Sequence, residues 1–238
     1  MASYERFEGA VPRARDSEVL AAFLRGVYGW MCGGLVITAA TAWLVASTPA
    51  LARAIVTNPF VFWGLAIAQL GIVFTLSARV NRMASGTASA LFVIYSALTG
   101  VTLSFVLLLY TGESVATTFL VAGGMFGALA VYGSVTRRNL SGLGTFLFMG
   151  VVGLLLASLV GMFWHNDGLQ FMISLIGVLV FAGLTVYDAQ RLKAMALATD
   201  AGPTQAATIV GALALYLDFI NLFRFLLRFM GNRRDDWS

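Results

Sequence analysis

Cysteine is nearly absent from this chain. Cys32 stands alone in an apolar stretch, which excludes an internal disulfide and a cysteine-based metal cluster. Histidine is as scarce. His165 has no second imidazole to join it in a zinc site, and its neighbours Trp164 and Asn166 mark an exposed loop rather than a Ser-His-Asp triad. Charge is also sparse. Charged residues make up 11% of the 238 residues and hydrophobic ones 59%, where soluble domains run near 25% and about 45–50%. Mean hydropathy is +0.86. These values describe an integral membrane protein whose first partner is the lipid bilayer. The formal charge of +4 does not mark a nucleic-acid binder, because the arginines lie scattered in short segments between apolar runs. The start of the chain is also not expected to be a cleavable signal. Residues 1–20 form a polar tail (Glu5, Arg6, Glu8, Arg13, Arg15, Asp16, Glu18) with no short apolar core, so the first apolar run reads as an uncleaved anchor.

What is present is a series of long apolar runs. Residues 21–238 hold seven, at about 26–47, 59–78, 87–110, 114–135, 143–163, 170–190 and 206–230. Each is near the roughly 20 residues that cross a bilayer core. The expected fold is an all-α bundle of seven transmembrane helices. Thr111, Gly112 and Glu113 form a tight turn, Arg137 to Leu143 a second link, and 191–205, with Gly202 and Pro203, a true loop. Ahead of the first span, Asp16 or Ser17 is a capping candidate for a helix that begins in the interface.

A cytoplasmic N-terminus places Arg6, Arg13, Arg15, Arg25, Arg79, Arg82, Arg137, Arg138, Arg191 and Lys193 inside. The outer loops then carry only Arg53 beside acidic Glu113 and Asp167, a strong positive-inside bias. The tail opposes it, since seven crossings put Arg228, Arg233 and Arg234 outside. The pairs Gly29/Gly33 and Gly123/Gly127 match the small-xxx-small spacing that lets helices approach. Trp63, Tyr110 and Trp164 stand near span ends, as an aromatic belt requires.

Two carboxylates interrupt the apolar runs. Asp188 lies in LVFAGLTVYDAQRLK and Asp218 in ALALYLDFINLFRFLLRF. A carboxylate at membrane depth costs about 2.5–3.5 kcal/mol on insertion scales, so such residues tend to carry ions, bind protons or pair. If span six continues past Asp188 to Leu192 or beyond, Asp188 lies about two turns from its inner end. Asp218 lies about three turns into span seven. On adjacent antiparallel helices the two can meet. In low dielectric such a pair should share a proton, which makes it a candidate pH sensor. Fully ionised, it is a hard-oxygen site suited to transient Ca2+. Arg79, or alternatively Arg82, is placed to compete for that charge. Asn221, one turn from Asp218, is a possible extension of the polar face, and Glu113 a possible cation attractant at the outer mouth. The plainer readings are an interfacial Asp188 paired with Arg191 or Lys193, a structural hydrogen bond from Asp218, and a solvated Glu113.

LYLDFINLFRFLLRFMG resembles the C-terminal signature of the Bax inhibitor-1 family, and VYDAQRL its span-six segment. LSGLGTFLFMG and SARVNRM are similar to bacterial members. The resemblance implies seven helices with the last one central, a bacterial inner membrane, and a pH-sensitive calcium leak. It places the paired aspartates on Asp188 and Asp218, and an arginine latch for the closed state on Arg79, with Arg82 as the alternative. No tightly bound cofactor is implied; Ca2+ is cargo. Two other functions compete. The first is a modulator of a membrane protease or stress response, with a protein partner. The second is an intramembrane aspartyl protease, using two carboxylates to activate water. That chemistry goes with a Gly-x-Gly-Asp motif, and here Leu215, Tyr216 and Leu217 precede the aspartate. The sequence therefore reads as a channel and not an enzyme.

Overall fold

The computed structural model describes residues 14–56, 58–79, 82–136, 138–164, 166–198 and 203–234. These form eight helices: α1 (Ala14–Ala46), α2 (Pro49–Val56), α3 (Pro59–Arg79), α4 (Ser85–Leu109), α5 (Gly112–Val135), α6 (Ser141–Phe163), α7 (Asp167–Leu197) and α8 (Gln205–Met230). Six of them, α1 and α4 to α8, are long and apolar enough to cross a membrane. The remaining expected span falls on α3, whose apolar stretch Trp63–Arg79 is shorter than the others. The protein is thus an all-α membrane protein.

Several boundaries differ from expectation. α1 starts at Ala14, so residues 14–20 of the supposed tail are helix and Asp16 and Ser17 lie inside the first turn instead of capping it. α2, eight residues with Arg53 in its last turn, was not foreseen. α7 runs on to Leu197, which converts the first seven residues of the expected 191–205 loop into helix; Gly202 lies outside the described residues. Nothing between Asp188 and Leu197 breaks a helix, and QRLKAMAL is rich in strong helix formers. Gly112 and Glu113 belong to α5, capped by Thr111, whose side chain accepts from the Ser114 N–H. Arg137 is outside the described residues.

α8 is the hub. Of its apolar window 67% is buried, against 11% for α6. It packs on α1, α4, α5 and α7, while α3 leans on α4 and α6 on α7. The α8 residues Ile209, Leu213, Leu215, Tyr216, Leu222 and Leu227 are among the most enclosed in the molecule. Beyond α8 the chain turns back. Thr111 N donates to Asn232 O at 3.2 Å and Arg234 N to Leu109 O at 3.0 Å, fastening the C-terminal segment to the α4–α5 turn.

Glycines let helices close up, but not the glycines the spacing marked. A Cβ on Gly29, Gly33, Gly123 or Gly127 would meet nothing within 4 Å. The close approaches are elsewhere. A Cβ on Gly100 of α4 would stand 2.6 Å from the Thr38 carbonyl oxygen of α1, and one on Gly133 of α5 would collide with the Val186 carbonyl oxygen of α7. Tyr110 is buried and bridges Arg233 rather than joining an aromatic belt; Trp63 and Trp164 are exposed as a belt requires.

Candidate functional site

α7 and α8 pack side by side, joined by the short link 198–204. Asp188 precedes the end of α7 by nine residues and Asp218 follows the start of α8 by thirteen. At 1.5 Å per residue these positions are about 14 and 20 Å from the same end of the bundle. The two carboxyl groups act on each other electrostatically across the α7–α8 contact. Asp218 is 4% exposed, and its Oδ2 has no hydrogen-bond partner. A buried carboxylate oxygen without a donor costs about 1–3 kcal/mol or more. A proton held between the two carboxyls would supply the missing donor.

The cation beside the pair is neither of the expected latch residues. Arg191, one turn beyond Asp188, brings Nη1 to 3.9 Å from Asp188 Oδ1 while itself remaining exposed. Arg79, at the end of α3, and Arg82, in the link to α4, are exposed, and neither forms an ion pair with an aspartate among the described residues. The reason is adjacency. α3 packs on α2 and α4, and no comparable packing joins it to α7 among the described residues. Lys193 is also engaged elsewhere, its Nζ donating to Ser134 O at 2.8 Å. Gln190 anchors the same end of α7, accepting from Leu140 N at 3.1 Å and donating to Arg138 O at 2.8 Å.

Asn221 does not extend the pair. Its Nδ2 donates to the Leu217 carbonyl of its own helix at 2.9 Å. Glu113 is exposed in the first turn of α5, and His165 lies outside the described residues. No three His, Cys, Asp or Glu side chains converge among the described residues. Ca2+ prefers six to eight oxygens. Two carboxylates supply at most four, so water would complete the shell of a passing ion.

On the opposite face of α8 lies a polar cluster that the sequence did not single out. The Tyr216 hydroxyl bonds the Thr38 hydroxyl, and Thr38 Oγ1 donates to Ser96 O at 2.9 Å. The Tyr216 ring meets Phe92 and Tyr95 edge-on. This ties α8 to α1 and α4, while the carboxyl pair joins it to α7. Hydroxyl residues within apolar runs were the available signal, but many of them only bond back to their own helix, as Thr185 does to Phe181 O.

Comparison with known proteins places the chain in a family. The family model described as inhibitor of apoptosis-promoting Bax1 matches residues 20–235. The chain belongs to the Bax inhibitor-1 family. It is 48% identical to the inner membrane protein YbhL of Escherichia coli K12 over 218 residues, covering 90% of this chain and 93% of the relative. An uncharacterized protein of Deinococcus radiodurans is 43% identical over 227 residues, covering 95% and 96%. One of Borreliella burgdorferi is 43% identical over 216, covering 90% and 93%. The family assignment spans every helix that carries a site residue.

Proposed function

We propose that this Bax inhibitor-1 family member is a proton-gated cation leak of a bacterial inner membrane, with Ca2+ as the cargo and Asp188 and Asp218 as its gate. The reading counts α3 as the seventh crossing and puts the N-terminus in the cytoplasm. It rests chiefly on one observation: a carboxyl group at the centre of the bundle faces a second carboxyl and keeps one oxygen unpartnered. A purely structural aspartate would be saturated by donors. When the pair holds its shared proton it carries one negative charge instead of two and holds a divalent cation weakly. As the pH rises the pair ionises, and two carboxylates become a hard-oxygen site for Ca2+. The test is Ca2+ entry into proteoliposomes at pH 6 to 8, with Asp188 and Asp218 both changed to Asn. Flux and pH dependence that survive both substitutions would end the proposal.

The closed path has a plug of this chain's own residues. Leu192, one turn from Asp188, is 3% exposed. It packs so closely on α8 that a Cβ at Gly211 would stand 2.6 Å from its Cδ2 and 3.3 Å from Val27 Cγ2. Ile209 and Ala212 complete an apolar seal between the carboxyl pair and the near end of the bundle. Leu192→Ala should open a cavity there and raise Ca2+ entry at pH 6 several-fold, measured with a trapped indicator dye. An unaltered flux at pH 6 would remove Leu192 from the gate. An Arg79 latch belongs, in this account, to another conformation; in the one described, Arg191 is the cation that attends Asp188.

A further inference from the structure

The flank of α8 that its neighbours leave open is cationic. At 100° per residue, Leu217, Asn221, Arg224 and Arg228 fall on one stripe. This stripe lies between the face that meets α4 through Tyr216 and the face that meets α7 through Asp218 and Phe225. Leu217 and Asn221 are half-buried, and Arg224 and Arg228 are exposed. Apolar neighbours hide Arg224 in the sequence, where it sits within the run INLFRFLLRF.

Among the described residues the two guanidinium groups lack a counter-ion. Arg224 has no hydrogen bond or ion pair among the described residues, and the titratable groups that act on it are Arg228 and the Tyr95 hydroxyl of α4. Arg228 reaches the neutral Gln170 Oε1 of α7 at 3.5 Å. Asp218, six residues earlier, points toward α7 from a different face. Depth narrows the occupant further. α8 has 26 residues, about 39 Å of helix, so a bilayer core of about 30 Å centred on it ends near Arg228. Arg224 lies about 10 Å from the centre, roughly 5 Å inside the hydrocarbon edge. An arginine at that depth extends its head toward the phosphate level.

We propose that Arg224 and Arg228, with Gln170 beside them, hold the phosphate of an anionic phospholipid headgroup on the open flank of α8. An arginine fork binds phosphate in two-point fashion, and two adjacent uncompensated cations favour a headgroup with net negative charge. The lipid also accounts for basic residues at the end of α8 that the positive-inside rule disfavours. The site is independent of the carboxyl pair.

The test uses the full chain in detergent. Thermal stability is measured with added phosphatidylglycerol, phosphatidylcholine or inorganic phosphate. Phosphatidylglycerol should stabilise the wild type at concentrations where the other two do little. Arg228→Gln, at the exposed rim where folding is not at stake, should raise the concentration required about fivefold, and Arg224→Gln by a similar factor. Arg224→Lys, which keeps the charge, should restore most of the effect. Equal stabilisation by phosphatidylcholine, by inorganic phosphate, or of Arg228→Gln and wild type by phosphatidylglycerol would overturn the assignment.

Discussion

Gly133→Ala is expected to destabilise the protein severely, whereas Gly123→Ala on the same helix should change little. A Cβ at Gly133 would run into the Val186 carbonyl oxygen and come within 3.0 Å of the Ala189 Cβ. The obstacle is backbone, which has no rotamer to yield. α5 and α7 must therefore separate, and overpacking of this kind costs about 1–3 kcal/mol, occasionally more. α7 carries Asp188 two residues beyond Val186, so the displacement also moves one half of the carboxyl pair. A Cβ at Gly123 meets nothing within 4 Å. Thermal melting of the two variants in the same detergent separates the cases. Equal melting temperatures would mean that α5 and α7 do not approach as closely as described.

Asp218→Asn is expected to have the opposite sign on stability. The Asp218 carboxyl is buried against Asp188, with one oxygen unpartnered. An asparagine of nearly the same shape removes one of two facing charges, and its amide can donate to the Asp188 carboxylate. The gain should approach about 1–3 kcal/mol, the usual cost of an unsatisfied buried group. Its pH dependence follows from the proton count. At low pH the wild-type pair is already neutralised, and the substitution gains little. As the pH rises the wild type accumulates two facing carboxylates and loses stability, while the variant never can. The difference in melting temperature should therefore widen between pH 6 and pH 8. A variant less stable than wild type at pH 8 would show that the carboxylate is satisfied in the native state. Stability gained at the expense of activity is the pattern expected of a group retained for function.

The six long spans were legible because hydropathy records the lipid environment directly, and helix rise brought Asp188 and Asp218 to neighbouring depths, although at about 14 and 20 Å from the shared end they stand about one helical turn apart. What escaped depended on lateral arrangement. Arg79 stands at a suitable depth, yet α3 packs against α4 and away from Asp188. Glycine spacing marks where helices are able to approach but not which faces meet. Gly29 and Gly127 were thus overvalued, and Gly100 and Gly133 missed. The charged residues Arg191 and Lys193 read as the start of a loop beyond the span. They instead continue the α7 helix, because the end of an apolar run does not require leaving helical geometry. α2, eight residues long, is too short to register against spans three times its length.

The most direct test of the central claim is Ca2+ entry into proteoliposomes across pH 6 to 8, comparing wild type with Asp218→Asn. The account predicts a wild-type flux that rises with pH and a variant whose flux no longer follows pH. A wild-type protein that passes no Ca2+ at any pH, or a variant with the wild-type pH profile, would contradict it.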